Sequence, residues 1–563
     1  MTRRFRVPAI ALTLFAIALV AMLPPRTQHT AAPPATTVRG AFHIHSNRSD
    51  GSGTIAEIAA AAAAAGLHFI ILTDHGDGTR APDPPTYHSG VLVIDGAEIS
   101  TTGGHYATFG LPASPYPLAG TPHDVIEDVH RLGGFGFAAH PGSPRPSLSW
   151  QDWSAPIDGL EWINSDSEWR DEARLPLARA LATYLFRAPQ SMATLLDRPA
   201  AVMARWDELA ATRPVVGIAA ADAHARLGFR QRTDPDVSKL HLPLPGYESS
   251  FRAFTNHVVL DRPLNKDAAS DAGDVLSAIR AGRLYSVIDA LATPGALSFS
   301  ASNGAATARM GDTLAPTGNI VLRATASAPP GTALVLFKNG QRIHEVVDRP
   351  LEANGGSDAA VYRIEAYVPG VPSVPWLVSN PIYATVAKPR SIAPLPPPSS
   401  RIPVRTAEAA TESGPNDISR IEVGAIETSE SRTFAGDPAI RWSYALAPGL
   451  PTGQFAAVPI PVSPGLEAFE RVQFRVTSPQ PLRAWVQLRA AVGNTERWGA
   501  TFYADSNPRL VDIPFTKFLP IGVTSSAAPP LNRVEFLLFV VDTLNTLPGS
   551  KGSMTITEVG FVR

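Results

Sequence analysis

Between Val38 and Thr293 the chain alternates short apolar runs with helical stretches, and histidines or carboxylates stand at or just beyond the ends of five of the runs. The runs are Ala41–His45, Phe69–Thr73, Val91–Asp95, Phe135–Ala139, Gly159–Ile163, Val215–Ala219 and Leu284–Val287. Helical stretches fall at Ile55–Ala65, Asp124–Leu132, Asp171–Phe186, Met192–Ala211 and Gly273–Ala281. Such alternation predicts an α/β fold with a mainly parallel sheet, and seven strands over this length suit a closed or distorted β/α barrel. The first helix is well punctuated: Thr54 with Glu57 forms a capping box and Gly66 is a natural residue to follow its C-terminus.

Metal-type donors sit at or just beyond the C-terminal ends of these strands, where ligand sites form in parallel α/β proteins. The first run ends in His43-Ile44-His45, and alternate residues of a strand share a face, so both imidazoles are expected to point the same way. Asp50 follows in the Ser49-Asp50-Gly51 turn. Thr73-Asp74-His75 ends the second run, Gly96-Ala97-Glu98 follows the third, with His105 shortly after, and His140-Pro141 ends the fourth. Asp222-Ala223-His224 follows the sixth. The nine donors are therefore His43, His45, Asp50, His75, Glu98, His105, His140, Asp222 and His224. Imidazole with carboxylate suits zinc, iron or manganese, and the chain has no cysteine to offer a soft thiolate. Nine donors exceed the need of one ion, so two or three divalent ions are implied, an arrangement that can clamp both oxygens of a displacement. Asp74 points away from His75 and is expected to orient the loop or a ligand. His29 lies in the spacer after the apolar run, His68 is expected to be structural, His123 and His130 to lie at the surface, and His88, His241, His257 and His344 match no motif.

At these positions the sequence resembles the polymerase-and-histidinol-phosphatase (PHP) family of metal-dependent phosphoesterases. The resemblance covers roughly Arg39–Pro294 and rests on His43-x-His45 with Ser49-Asp50-Gly51, Thr73-Asp74-His75, Gly96-Ala97-Glu98, His140-Pro141 and Asp222-x-His224. It implies a distorted seven-stranded β/α barrel with a trinuclear centre. His43, His45, Glu98 and Asp222 would hold one ion, Asp50, His75 and His224 a second, and Glu98, His105 and His140 a third. A metal-bound hydroxide held by Glu98, Asp222 and His43 would be the nucleophile. The run Pro375–Tyr383 is similar to the domain that follows the barrel in exported relatives of carbaryl-type hydrolases.

The remaining chain divides by composition. Arg3, Arg4 and Arg6 precede the apolar run Val7–Leu23, so residues 1–36 read as a signal peptide or signal anchor with a spacer. An exported protein, periplasmic or extracellular, follows, with a membrane anchor as the rival. Residues 37–294 make the barrel. From 295 to 388 only strand signals remain, with turns such as Asn339-Gly340, so a small β-sandwich is expected. Residues 389–405 are a proline-rich linker, and 406–563 read as a second sandwich or jelly roll. There Trp442, Trp485, Trp498 and Tyr503 are either core aromatics or a stacking platform for a glycan. With 48 basic against 50 acidic residues, no global charge draws nucleic acid. The expectation is an exported, multidomain, metal-dependent hydrolase acting on a small, phosphorylated ester. Its rivals are a carbamate or amide hydrolase using the same centre, and a glycan-binding envelope protein with a non-catalytic barrel.

Overall fold

The computed structural model describes residues 20–228, 241–371, 373–385, 402–403, 412–413, 421–423, 440–446, 448, 454–462, 465–490 and 496–563. Most of the N-terminal apolar run and nearly all of the proline-rich linker lie outside the described residues. Among those described, no helix is long and apolar enough to cross a membrane. The chain forms two compact units, residues 1–112 with 121–389, and residues 113–120 with 390–563.

In the first unit, β1 (Thr37–Ala41), β2 (Phe69–Leu72) and β3 (Val91–Asp95) run parallel. Strands β4 (Ala97–Thr101), β5 (Gly104–Phe109), β6 (Phe135–Ala138), β7 (Gly159–Asn164) and β8 (Val216–Ala220) form a second sheet in that order. On the other side of β1 lie β9 (Thr255–Val259) and β10 (Leu284–Val287), both antiparallel to their neighbours. The β4–β5 hairpin and β9 answer to no expected strand. The hairpin turns at Thr102-Gly103, with Gly104 at φ 115°, and its short Ile-x-Thr and His-x-Ala alternation is easily passed over.

The expected distorted seven-stranded barrel is not a closed ring: its strands stand in these two sheets. They face each other across a shared apolar layer, where the Asn256 side chain bonds both Ala219 N and Ala219 O, and their backbones join at the rim. Two isolated parallel pairs make that join, Ile44 with Ala223 and His75 with Glu98. The reason is local. A left-handed backbone at His43 (φ 60°) ends β1 early, and its continuation then turns toward β8, with Ala221 N donating to Phe42 O at 2.9 Å. At Gly96 the chain passes from pairing with β2 to pairing with β5; a Cβ there would stand 2.5 Å from Thr108 O. Between the sheets Phe42, Phe69, Phe109, Phe135 and Phe137 are fully or almost fully buried, with edge and tilted contacts of 5.0 to 5.8 Å between neighbouring rings. Each buried aromatic of this kind contributes roughly 1.5–3 kcal/mol of transfer free energy.

Helices cover the outside. α1 (Ile55–Ala64) carries the expected capping box: Thr54 Oγ1 accepts from Glu57 N and Glu57 Oε2 accepts from Thr54 N. α2 (Pro122–Arg131), α3 (Ser165–Arg170), α4 (Arg174–Ala193), α5 (Ala200–Ala210) and α6 (Ala268–Arg280) follow, the last after the short turn of helix Tyr247–Phe251. α4 includes a non-helical residue, Arg187, two positions before Pro189, which cannot donate into the helix ladder.

The strands between residues 295 and 388 belong to the same unit. Leu377–Ser379 pairs with β10, so one face of this β block continues the sheet of β1. The second face is a four-stranded antiparallel sheet including Ala296–Ser302 and Ile320–Ser327. Asn380 ties the block inward: its side chain accepts from Gly217 N and donates to Gly217 O, both at 2.8 Å.

Among the described residues, the second unit is a β-sandwich of two six-stranded sheets. Its core includes Trp442, Phe474, Trp498, Phe502 and Phe539. Trp442 and Trp498 are almost fully buried, because alternation along their strands turns them inward. They therefore cannot stack on a glycan with Trp485 and Tyr503, which are half-buried.

Candidate metal centre

The nine donors read from the sequence converge at the rim where the two sheets meet. Each belongs to at least one group of three or four whose donor atoms lie within 4.8 Å of one another: His45, Asp50, His75 and His224; His43, Glu98 and His140; His43, His45 and Asp222; His75, Glu98 and His105.

Glu98 is the hub. Its Oε2 lies 3.2 Å from His43 Nε2, 3.3 Å from His45 Nε2 and 3.3 Å from His75 Nδ1. Its Oε1 lies 2.8 Å from both His105 Nδ1 and His140 Nε2. Asp222 Oδ1 stands 3.5 Å from His43, His45 and His224. Asp50 faces His45 at 3.3 Å, His224 at 3.3 Å and His75 at 3.5 Å. The His45 and His224 rings stack with centroids 4.1 Å apart.

The backbone is strained where the donors stand. His43, His140 and Asp222 have φ of 60°, 32° and 43°, in the left-handed region that non-glycine residues rarely enter. Each such residue costs of order 1–3 kcal/mol and persists only where its surroundings over-determine it. The expectation that His43 and His45 share a strand face thus fails in its geometry, since the strand has ended. The rings still come together, 5.1 Å between centroids, because the turn at His43 re-aims its side chain.

Supporting groups fix the rings. Glu161 Oε1 lies 2.5 Å from His43 Nδ1, and Glu161 Oε2 accepts from His140 N at 2.6 Å and from Asn164 Nδ2 at 2.8 Å. Asn164 Nδ2 also reaches Asp222 Oδ2 at 3.1 Å. His140 Nδ1 faces Leu148 O and His224 Nδ1 faces Asp222 O, both at 3.0 Å. Asp74 accepts from Ser46 N, Ser46 Oγ and Ser49 Oγ at 2.6–2.7 Å, holding the loop that carries Asp50. Gly51 lets that loop close: a Cβ there would meet His45 O at 2.1 Å. Glu161 and Asn164 escaped the sequence reading. Their signal was a carboxylate inside the otherwise apolar run Gly159–Ile163.

Burial disfavours charge throughout the cluster, and opposite charges across it overcome that cost. Glu98, Asp50 and Asp222 are held well below the usual carboxylate range by the surrounding imidazoles. Despite burial, the carboxylates raise His43 well above its ordinary value, His140 to about 9 and His224 to about 10. A cation that takes these lone pairs must displace protons, so its binding is coupled to proton release.

The donor set fits divalent metal. His43 Nε2 and His45 Nε2 are buried with no hydrogen-bond partner, and both point at the carboxylates of Glu98 and Asp222. Two orphaned imidazole nitrogens facing shared carboxylates are costly unless a cation completes them. Among the arginines near these loops, Arg48 pairs with Asp83 and Asp95, Arg170 with Asp166, and Arg226 donates to Asp50 O at 3.1 Å.

No family model matches the chain, and no curated protein matches it. Among solved structures it is similar to a two-domain protein of Bacteroides vulgatus containing a predicted PHP-like metal-dependent phosphoesterase. That likeness has 14% identity and a TM-score of 0.27, over 64% of this chain and 99% of the other. It is also similar to a Bifidobacterium adolescentis protein proposed to be a metal-dependent phosphoesterase, with 15% identity and a TM-score of 0.21 over 39% and 93%. A family 11 carbohydrate-binding module of Clostridium thermocellum matches with 14% identity and a TM-score of 0.23 over 29% and 94%.

Proposed function

We propose that this chain is a metal-dependent hydrolase of phosphate esters, of the PHP type. The observation that carries the reading is the Glu98 carboxylate shared by five imidazoles, two of them with orphaned buried nitrogens. In this reading His43, His45, Glu98 and Asp222 hold one ion, Asp50, His75 and His224 a second, and Glu98, His105 and His140 a third. Divalent ions so placed supply charge neutralisation at phosphorus and lower the pKa of water toward neutrality.

The chain's own residues set up that chemistry. Glu161 and the Leu148 and Asp222 carbonyls engage the outer nitrogens of His43, His140 and His224, which leaves their inner nitrogens facing the centre. Glu98 and Asp222, both buried, bring fixed negative charge to the inner part of the site, where electrostatic interactions are strong. The strained turns at His43, His140 and Asp222 keep the donors in place before substrate arrives. The basic n-region and apolar run at residues 3–23 support export, with either a cleaved signal or a retained anchor.

The test is elemental analysis of purified protein followed by assay on a phosphate ester and an aryl carbamate. Two or three transition-metal equivalents and phosphate release are expected, with His75→Ala and Asp222→Ala abolishing turnover in folded protein. Turnover of the carbamate alone would overturn the phosphoesterase reading. Fewer than about one metal per chain, with no turnover on metal addition, would favour a binding protein.

A further inference from the structure

Beside the candidate centre, α3, α4 and the residues after β8 enclose a cavity whose wall includes Asp222 and His224. The rest of that wall is mainly apolar, built from side chains such as Trp169, Leu177, Leu181, Tyr184, Leu195 and Leu196. Its acidic and phenolic groups are already engaged. Asp166 accepts from Trp169 Nε1 at 3.0 Å and from Arg170 Nε at 2.5 Å. Glu168 accepts from Asp197 N at 3.1 Å, and the Tyr184 hydroxyl accepts from Gly246 N at 3.0 Å. Burial, with the neighbouring Asp197, Asp171 and Glu172 charges, pushes the Glu168 carboxyl up to about 8, so it is neutral at pH 7. A chamber lined this way rewards an occupant for its apolar area rather than for hydrogen bonds.

The apolar surface continues outward. Leu181, in the cavity wall, is 59% exposed, and on the same helix Leu185 and Phe186 are 85% and 60% exposed. Arg179 Nε and its neighbouring guanidinium nitrogen each donate to Met22 O at 3.1 Å, and Arg187 donates to Pro24 O. The end of the apolar run Val7–Leu23 is therefore held against this helix.

We infer that the substrate is an amphiphile, a phosphate ester of a long-chain apolar alcohol, whose chain lies in the α3–α4 cavity while its phosphate sits at the centre whose ions Asp222 and His224 would help hold. This deepens the phosphoesterase reading and rests on it. Continuity with the centre selects the occupant, because Asp222 and His224 belong both to the centre and to the wall that carries Trp169, Leu177 and Leu181, so the alcohol of a phosphate ester bound at the centre can extend over those side chains. Hydrolysis breaks the ester P–O bond, water supplies the new oxygen on phosphorus, and the alcohol leaves with the proton.

Ethyl, butyl and octyl phosphate are the probes, with inorganic phosphate release measured on metal-loaded protein. Burial of the added methylenes should raise kcat/KM at least about tenfold from ethyl to octyl. Leu181→Arg and Leu177→Arg, at exposed and half-buried positions of α4, should each bring the octyl-to-ethyl ratio toward one. Calorimetry with octyl and ethyl phosphonate, which are not hydrolysed, reads the same preference without turnover. Equal rates and equal phosphonate binding for short and long chains would overturn the inference. If no ester is hydrolysed but octyl phosphonate still binds more tightly, and Leu181→Arg removes that preference, the cavity stands and the phosphoesterase reading falls.

Discussion

Glu161 Oε1 lies 2.5 Å from His43 Nδ1, deep in the rim, so the ring of a central donor is oriented by a carboxylate from the neighbouring sheet. Removing this contact frees the ring without removing a donor to the ions. Glu161→Gln should weaken metal affinity about 10- to 100-fold while leaving the far-ultraviolet circular dichroism unchanged. Metal titration by calorimetry checks it, and an unchanged affinity would show that His43 is oriented by packing alone.

Glu98 contacts imidazoles from four separate segments, so its loss should disturb more than one ion. Glu98→Gln should cost at least one metal equivalent per chain and nearly all turnover. Elemental analysis of variant and parent protein after identical purification decides this, and full metal content in the variant would remove Glu98 from the hub.

Gly51 closes the loop that carries Asp50. A Cβ at this position would sit 2.1 Å from His45 O, a backbone atom with little freedom to yield. Gly51→Ala should therefore lower turnover and metal affinity together. Parent-like values for both would mean that the loop can shift without moving Asp50.

The Glu168 carboxyl is raised to about 8 in the folded chain from an ordinary value of 4.5, chiefly by burial. Between those two pH values the unfolded chain has given up a proton that the folded chain keeps. Stability from this group therefore falls as pH rises from about 4.5 to about 8. Glu168→Gln removes the penalty, so the variant should match the parent near pH 4.5 and exceed it near pH 8, by on the order of 4 kcal/mol. Thermal melts of the first unit across this range report it, and parallel curves would contradict the assignment.

Trp376 is fully buried and donates from Nε1 to Ala292 O at 2.8 Å, on the stretch that leads into the strand paired with β10. Trp376→Ala should cost about 3–5 kcal/mol. Because this β block and β1 share one sheet, the loss should appear as earlier melting of the whole first unit. Selective melting of residues 295–384, read by hydrogen exchange, would show that the block folds separately.

Much of the candidate site was legible in the chain. Metal-type donors recur at the ends of successive apolar runs, and side chains of those types have few reasons to gather at strand ends except chemistry. Hence all nine of His43, His45, Asp50, His75, Glu98, His105, His140, Asp222 and His224 could be named before any coordinate was known, and they lie together at the rim. Glu161 and Asn164 were harder, since a supporting residue carries no spacing signature of its own. The β4–β5 hairpin was hidden because each of its strands is short and only partly alternating.

The linear pattern determined which side chains lie at strand ends, because hydrophobic periodicity and turn chemistry act within a few residues. Only the tertiary structure decided how those ends meet. Whether the strands close into one ring or stand as two sheets depends on long-range pairing, and here left-handed turns at His43 and Asp222 and the crossover at Gly96 redirect the rim. The three-dimensional fold also made the first β block continuous with the sheet of β1, buried Trp442 and Trp498, and set an apolar cavity beside Asp222. Each of these outcomes depends on which distant surfaces exclude water together, and that is a property of the assembled chain rather than of any segment.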